Sequence, residues 1–136
     1  MLFRSVWLNV YPTAGLSAYV WEKYNFTTIF PWDVRIDQFG QGFFSASAFD
    51  GSVAAQINGT TIIPTGQWVH LAISRQGNNF RAFIDGIQEG ATDTNLNVAA
   101  GDNAANMTIG ATVDGSGNFD GWIGRASCRE RVFVGV

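Results

Sequence analysis

The runs GQWVHLAISR (residues 66–75) and FRAFIDG (residues 80–86) carry the clearest structural signal in this sequence. The first run is dominated by apolar and β-branched residues, and in the second every other residue from Phe80 to Ile84 lies on one apolar face. That period of two is typical of a β-strand with one buried side. Turn signals follow each run, at residues 77–79 and at Asp85-Gly86. We therefore predict an antiparallel hairpin over this stretch.

Further strands are predicted on both sides of the hairpin, at residues 6–11, 18–24, 27–37, 43–49, 52–57, 87–89, 95–98 and 106–112. Turn signals such as Asp50-Gly51, Asn58-Gly59 and Pro64-Thr65-Gly66 separate them. No segment shows the apolar spacing of an amphipathic helix. A chain of 136 residues is long enough for one core and too short for two. The sequence predicts one all-β antiparallel domain.

The charge distribution argues against two classes of partner. The chain carries a formal net charge of −3, and its eight basic residues do not cluster in the body of the chain. Phosphate contacts require clustered Lys and Arg, so nucleic acid is not an expected partner. No apolar run approaches the roughly 20 residues needed to span a bilayer, so membrane insertion is not expected either.

Both ends of the chain resemble translated sequencing adapters. Residues 1–5 (MLFRS) match one end of a common short-read adapter, and residues 123–136 begin with IGRASCRERV, which matches the opposite adapter. We predict that both segments are non-native, that the source is a metagenomic read, and that the domain spans residues 6–122. That segment has four basic and ten acidic residues, a net charge of −6, and lacks the only cysteine, Cys128. The alternative is a genuine basic C-terminal strand.

The two central runs, in this order and spacing, resemble the laminin-G-like domains of the concanavalin A-like lectin/glucanase superfamily. Two flanking motifs agree with them: VWLNVYPT at residues 6–13, and MTIG at residues 107–110 followed by FDGW at residues 119–122. The resemblance implies a jelly-roll β-sandwich of two antiparallel sheets. It also implies that strands before Val6 and after Ile123 are missing, so that the sandwich is truncated at both ends.

The sequence lacks the groups that hydrolysis of sugars requires. Glycosidases that the chain resembles carry Glu-x-Asp-x-x-Glu on one strand, because the reaction needs two carboxyl groups in different roles. That motif is absent, and Glu22 and Glu89 stand alone in the sequence. His70, the sole histidine, lies within a predicted strand and has no nucleophile motif near it. We therefore predict that the domain is not an enzyme.

Two kinds of binding site are candidates. Sugar rings stack on exposed aromatic side chains, although aromatic residues also fill sandwich interiors. Calcium is the cofactor that the resemblance implies, since laminin-G-like and pentraxin-like modules often bind it through loop carboxylates and carbonyls. An Asp before Gly is, however, more often a turn former. The candidate ligand-binding residues are Trp21, Trp32, Phe119 and Trp122, and the candidate metal ligands are Asp102, Asp114 and Asp120.

Three functions are consistent with these features. The first is a non-enzymatic binding or adhesion module, with a glycan or protein ligand, inside a larger extracellular, cell-surface or virion protein such as a tail fibre. Neighbouring domains of that larger chain would then be its partners. The second is a purely structural spacer, which would present no ligand site. The third is a truncated glycoside hydrolase-like domain whose carboxylates lie in the missing strands. An exposed patch that combines aromatic residues with carboxylates would favour the first.

Overall fold

The computed structural model describes residues 2–11, 18–23, 32–37, 43–49, 54–95 and 106–130. All regular structure within these ranges is β-strand, and none of these residues belongs to a helix that could span a bilayer. Parts of four predicted strands lie outside the described residues, namely residues 24, 27–31, 52–53 and 96–98. The strands are β1 (Leu2–Val10), β2 (Ala18–Lys23), β3 (Trp32–Asp37), β4 (Phe43–Phe49), β5 (Ala54–Ile62), β6 (Trp68–Gln76), β7 (Asn79–Ile84), β8 (Ile87–Asp93), β9 (Met107–Ile109) and β10 (Gly121–Glu130).

The strands form two five-stranded sheets in which all neighbours are antiparallel. Sheet A has the order β10-β1-β6-β7-β8, and sheet B has the order β5-β4-β3-β2-β9. The predicted hairpin is β6 and β7, in which Leu71 pairs with Ile84. The prediction of an all-β antiparallel two-sheet sandwich is confirmed.

The core lies between the sheets because apolar residues alternate along the strands. In β7, Phe80 and Ala82 are fully covered, whereas Arg81 and Phe83, which alternate with them, are half-buried. In β1, which belongs to the same sheet, Val6 and Leu8 are likewise fully covered and the residue between them is exposed. Sheet B contributes Ile36 and Phe44 to the same interior. Truncating one of the large side chains here to alanine is expected to destabilise the fold by about 2–5 kcal/mol.

Strand β5 corrects one detail of the sequence analysis, because Asn58-Gly59 does not form a turn. Both residues lie inside β5, at a bulge where the register with β4 shifts. A Cβ on Gly59 would stand 2.8 Å from the backbone oxygen of Phe44, so the residue must be glycine for close packing. The bulge also turns the N–H groups of Thr60 and Thr61 away from the ladder. Both N–H groups donate to Glu89 Oε1 of β8, at 2.6 Å and 3.2 Å.

Strand β1 lies inside sheet A, between β10 and β6. Leu2 pairs with Glu130 and Val10 pairs with Gly121, so the pairing includes both segments that the sequence analysis predicts to be non-native. Within β10, Ile123 packs against the core, while residues 124–126 are exposed. The non-native origin of residues 1–5 and 123–136 stays a prediction.

Candidate functional site

Exposed aromatic side chains gather on the outer side of sheet A. Val6, Leu8 and Val10 of β1 point into the core, so the residues between them point outward. Trp7 is exposed and Asn9 is half-buried, and Tyr11 continues the alternation just past the end of the strand. Because side chains alternate along a strand, Trp7, Asn9 and Tyr11 lie in a row on the outer side of β1.

Neighbouring strands extend this series sideways. Asn9 pairs with Trp68 of β6 on one side and with Trp122 of β10 on the other. Trp7 pairs with His70 of β6, and the two rings lie 5.0 Å apart at an interplanar angle of 42°. Residues that face each other across an antiparallel pair point to the same side of the sheet. We call this surface the aromatic face: Trp7, Asn9, Tyr11, Trp68, His70 and Trp122.

Among the residues whose side-chain exposure the structure describes, all the exposed aromatic ones belong to the aromatic face: Trp7 (44%), Tyr11 (42%), Trp68 (52%) and Trp122 (61%). The other exposed large side chains in that part of the chain are not aromatic, namely Ile62, Ile87, Met107 and Ile109. Aromatic rings contribute large buried areas when they enter a core, so leaving four of them in water forgoes a substantial stabilisation. Clustered exposure of this kind marks an interaction surface.

Contacts between the side chains hold the rings in place. The Nε1 of Trp122 donates a hydrogen bond to the Tyr11 hydroxyl. The far edge of the Trp68 indole lies over Gly124, where an added Cβ would stand 3.0 Å from the ring and 3.4 Å from the Cβ of Trp7. The indoles of Trp68 and Trp122 are thus directed to different ends of the aromatic face, one beside Trp7 and the other beside Tyr11.

Asn9 separates these two ends, and its carboxamide is unusual. Its Oδ1 is covered and has no hydrogen-bond partner among the described residues. A buried polar atom without a partner destabilises a fold by about 1–3 kcal/mol, so such atoms are rare and point to a buried water or ion that completes them. The aromatic face therefore covers a buried amide oxygen that has no partner among the described residues.

The structure places the predicted ligand-binding residues in different environments. Trp122 belongs to the aromatic face. Trp21 lies in the core with 4% of its surface exposed, so its ring is not available for stacking on a ligand. Phe119 is half-buried and packs against the core. The side chain of Trp32 lies outside the described residues.

Sequence reasoning missed Trp7, Tyr11 and Trp68, although a signal for them was present. Trp7 lies between Val6 and Leu8, and Trp68 precedes Val69. If these apolar neighbours face the core, both Trp residues must face outward. An aromatic residue at an outward position of a confident strand is the signal. Their convergence depends on the pairing of β1 with β6 and β10, which joins positions about 60 and 110 residues apart and is not visible along the sequence.

The predicted metal ligands are not brought together as a site. Asp114 is exposed, and Thr112 and Ser116 donate to its Oδ1. The hydroxyl groups of Thr112 and Ser116, followed by the Ser116 N–H, lower the pKa of Asp114 to about 2. Asp120 is exposed, and Asp102 lies outside the described residues. Across the described ranges, no three His, Cys, Asp or Glu residues are arranged to hold a metal ion. Calcium binding stays a prediction.

Acidic side chains on the outer side of sheet B are buried. Asp33 has 7% and Glu22 has 8% of its surface exposed. The Ser47 hydroxyl donates to Asp33 Oδ1, and Glu22 Oε2 accepts the N–H of Val113 at 3.0 Å. Burial raises the pKa of Asp33 to about 6, against the opposing charge of Arg35. Burial also raises the pKa of Glu22. Both carboxyl groups thus hold loops and strands together.

A polar groove of about 430 Å³ lies between the edge strands β5 and β8. Asp93 in its wall already accepts the N–H groups of Gln56 and Asn95 through its two carboxylate oxygens. The groove has no aromatic residue in its lining, which consists of Gln56, Ile57, Asn58, Gly90, Ala91, Thr92, Asp93, Thr94 and Asn95. It is a concave surface separate from the aromatic face, and its charged group is already bonded.

Sequence comparison assigns the fold to a family. The sequence profile described as the concanavalin A-like lectin/glucanases superfamily (Laminin_G_3) matches residues 4–131. The chain belongs to this superfamily. No curated protein is significantly similar to it in sequence.

Solved structures with the superfamily fold resemble this one at low sequence identity. Domain 4 of AbnA, a GH43 extracellular arabinanase from Geobacillus stearothermophilus in complex with arabinotriose, has a TM-score of 0.69 at 20% identity, covering 93% of this chain and 59% of that chain. A heptameric SAP-like pentraxin from Limulus polyphemus has a TM-score of 0.67 at 16% identity, with 93% and 62% covered. Domains LG4-5 of the mouse laminin alpha1 chain have a TM-score of 0.65 at 10% identity, with 93% and 34% covered. The chain thus spans about three fifths or less of each of these structures, and the likenesses show the fold.

Proposed function

We propose that this domain is a non-enzymatic carbohydrate-binding module whose ligand lies on the aromatic face. The observation that carries the proposal is the grouping of Trp7, Tyr11, Trp68 and Trp122 around Asn9. Indole and phenol rings stack on the apolar faces of sugars, and polar groups between them fix the orientation of the ligand. Domain 4 of AbnA, which shares this fold, was solved with arabinotriose, and this supports a sugar as the class of ligand.

The same surface fits a sugar better than it fits the rival functions. A structural spacer has no need of four exposed aromatic rings, which favour association with other molecules. A glycoside hydrolase needs two carboxyl groups on either side of a bound sugar, and the six residues of the aromatic face include no carboxylate. The face therefore has the aromatic half, and not the carboxylate half, of the patch that the sequence analysis names as favouring a binding module. We place the module in a larger extracellular, cell-surface or virion protein, beside further domains. The extracellular character of the arabinanase supports that context.

Affinity electrophoresis in native gels that contain a soluble neutral polysaccharide tests the proposal. Arabinan, hydroxyethyl cellulose and xyloglucan are suitable probes. We expect at least one of them to retard the protein. Trp68→Ala and Trp122→Ala should each weaken binding by about tenfold or more, as is usual when a buried aromatic contact is removed.

Two further variants separate binding from folding. Ile87→Ala removes a side chain that is 76% exposed and lies outside the aromatic face, so it should bind like the parent protein. Trp68→Phe keeps a ring over Gly124 and should retain part of the affinity. Equal retardation of the parent, Trp68→Ala and Trp122→Ala by a polysaccharide would place the ligand elsewhere. Retardation of none of them by any probe would favour the spacer.

A further inference from the structure

We infer that the Tyr11 hydroxyl group fixes the direction of the Trp122 indole, so that Tyr11 is a positioning residue of the aromatic face. This inference deepens the proposed function and rests on it for the class of ligand, a sugar. The observation that carries it is the hydrogen bond that Trp122 Nε1 donates to the Tyr11 hydroxyl oxygen. The bond joins the two outer strands of the face, since Tyr11 follows β1 and Trp122 belongs to β10.

The backbone places the two residues within reach of each other. Trp122 lies opposite Asn9 in the pairing of β1 with β10, and Tyr11 is two residues beyond Asn9 on the same side of the sheet. Such diagonal neighbours lie about 7–8 Å apart, a distance that aromatic side chains can span. The N–H of Tyr11 donates to the backbone oxygen of Asp120 at 3.0 Å. Tyr11 therefore stays in register with β10 although it lies just past the end of β1.

The turn that leads into Trp122 is held by the core. Phe119 packs against the core, and its N–H donates to the backbone oxygen of Gly110 at 2.8 Å. A Cβ at Gly121 would overlap the backbone oxygen of Asn9 and stand 3.0 Å from the Phe119 ring, so no side chain fits there. The backbone at Trp122 is thus fixed, and the direction of the indole depends on its side-chain torsions.

The hydrogen bond supplies a constraint that packing does not. Trp122 is 61% exposed, more than the other exposed rings of the aromatic face, so packing restricts its rotation less than theirs. A side chain that becomes immobile when a ligand binds loses rotational freedom, and this loss lowers the affinity. The bond to the Tyr11 hydroxyl restricts the indole already in the free protein, so less freedom is lost on binding.

The variant Tyr11→Phe removes the hydroxyl group and keeps the ring. We expect it to lower the affinity for the polysaccharide that retards the parent protein (arabinan, hydroxyethyl cellulose or xyloglucan) by about three- to tenfold. Tyr19→Phe is the matched control, because Tyr19 is half-buried in β2 of sheet B, and it should bind like the parent protein. Both variants should unfold at about the same urea concentration as the parent, which separates binding from folding.

A double-mutant cycle separates positioning from direct contact with the ligand. Trp122→Phe keeps a ring for stacking and removes the N–H that donates to Tyr11. In that background Tyr11→Phe should have no further effect on affinity. A loss of the same size in both backgrounds would overturn the inference, because the hydroxyl group would then act on the ligand without Trp122. Sugar binding on the aromatic face would still stand.

The indole N–H signal of Trp122 in a proton–nitrogen correlation spectrum tests the inference without any ligand. That signal is the one that Trp122→Phe removes. We expect Tyr11→Phe to shift it more than the signals of the other Trp residues, and Tyr19→Phe to leave it in place. An unchanged Trp122 signal in Tyr11→Phe would overturn the inference. If the signal shifts but no polysaccharide retards the parent protein, the proposed function fails and the positioning of Trp122 by Tyr11 stands.

Discussion

Single residues in this sandwich carry charge in places where charge is costly, and Asp33 is the clearest example. Its carboxyl group is almost completely covered, and its pKa is raised from 3.8 to about 6 by burial. The folded protein therefore binds a proton in a pH range where the unfolded chain has already released it. Stability must fall as the pH rises from about 4 to about 6, by up to about 3 kcal/mol for this group.

Asp33→Asn tests that reasoning. The amide keeps an oxygen that can accept the Ser47 hydroxyl and never becomes charged. We expect the variant to gain about 2–3 kcal/mol on the parent between pH 4 and pH 7, measured by urea unfolding at both pH values. Asp120→Asn, at an exposed position, is the matched control. A difference between Asp33→Asn and the parent that is the same at both pH values would contradict the prediction.

Glu89 shows the opposite behaviour at the residue scale. Its burial would raise its pKa, but the hydrogen bonds from Thr60 and Thr61 outweigh that effect, and the pKa lies below the ordinary value. Its contribution to stability is thus present at neutral pH and is lost as the pH falls through the lowered pKa. The same carboxylate joins β8 of sheet A to the bulge in β5 of sheet B.

Substitution of Glu89 should show how much these hydrogen bonds between the two sheets contribute to the free energy of unfolding. Glu89→Ala leaves the N–H groups of Thr60 and Thr61 without their acceptor and is expected to lower the free energy of unfolding by about 1–3 kcal/mol at pH 7. Glu89→Gln retains an acceptor oxygen and should lose less. Gln88→Ala, next to it on the exposed side of β8, should have little effect. Equal losses for Glu89→Ala and Gln88→Ala would show that the carboxylate does not join the sheets.

At the scale of the elements, the sequence predicts where strands exist better than where they end. Residues 43–49 were predicted as a strand and form β4 without change, because alternation and glycine turns mark both ends. Strand β5 extends to Ile62, past the predicted end at residue 57. The cause is Gly59, whose missing side chain serves close packing against Phe44 rather than a turn. A local signal cannot tell these two uses of glycine apart.

The candidate site was less predictable than the strands, again because local sequence does not show which strands pair or in which register. Trp122 could be selected because it follows a flexible loop, but its partners Trp7 and Trp68 belong to distant strands. Whether an aromatic residue faces the core or water depends on the register of each strand, and a shift of one residue reverses it. Trp21 illustrates this, since a bulge between Tyr19 and Trp21 in β2 turns its ring into the core.

At the scale of the whole molecule, the prediction concerns the two ends of the chain, residues 1–5 and 123–136, which we expect to be non-native. We expect an open reading frame recovered from adapter-trimmed reads to differ from this chain before Val6 and after Trp122. Because β10 occupies the position beside β1, the native residues there should again form a strand, with an apolar residue where Ile123 packs. Independent reads that reproduce residues 123–136 would show that Cys128 and the basic residues around it belong to the protein.

The position of β1 has a consequence for how the chain reaches this fold. Its partner strands begin at Trp68 and Gly121, so a ribosome that adds about 5–20 residues per second begins the first partner roughly 3–12 seconds after it completes β1, and begins the second still later. During that interval Val6, Leu8 and Val10 lack both partner strands of β1, and so does Trp7 between them. Pairings between distant parts of a chain also form slowly. The segment that contributes Trp7 and Asn9 to the aromatic face is therefore exposed to aggregation during synthesis until its partner strands emerge.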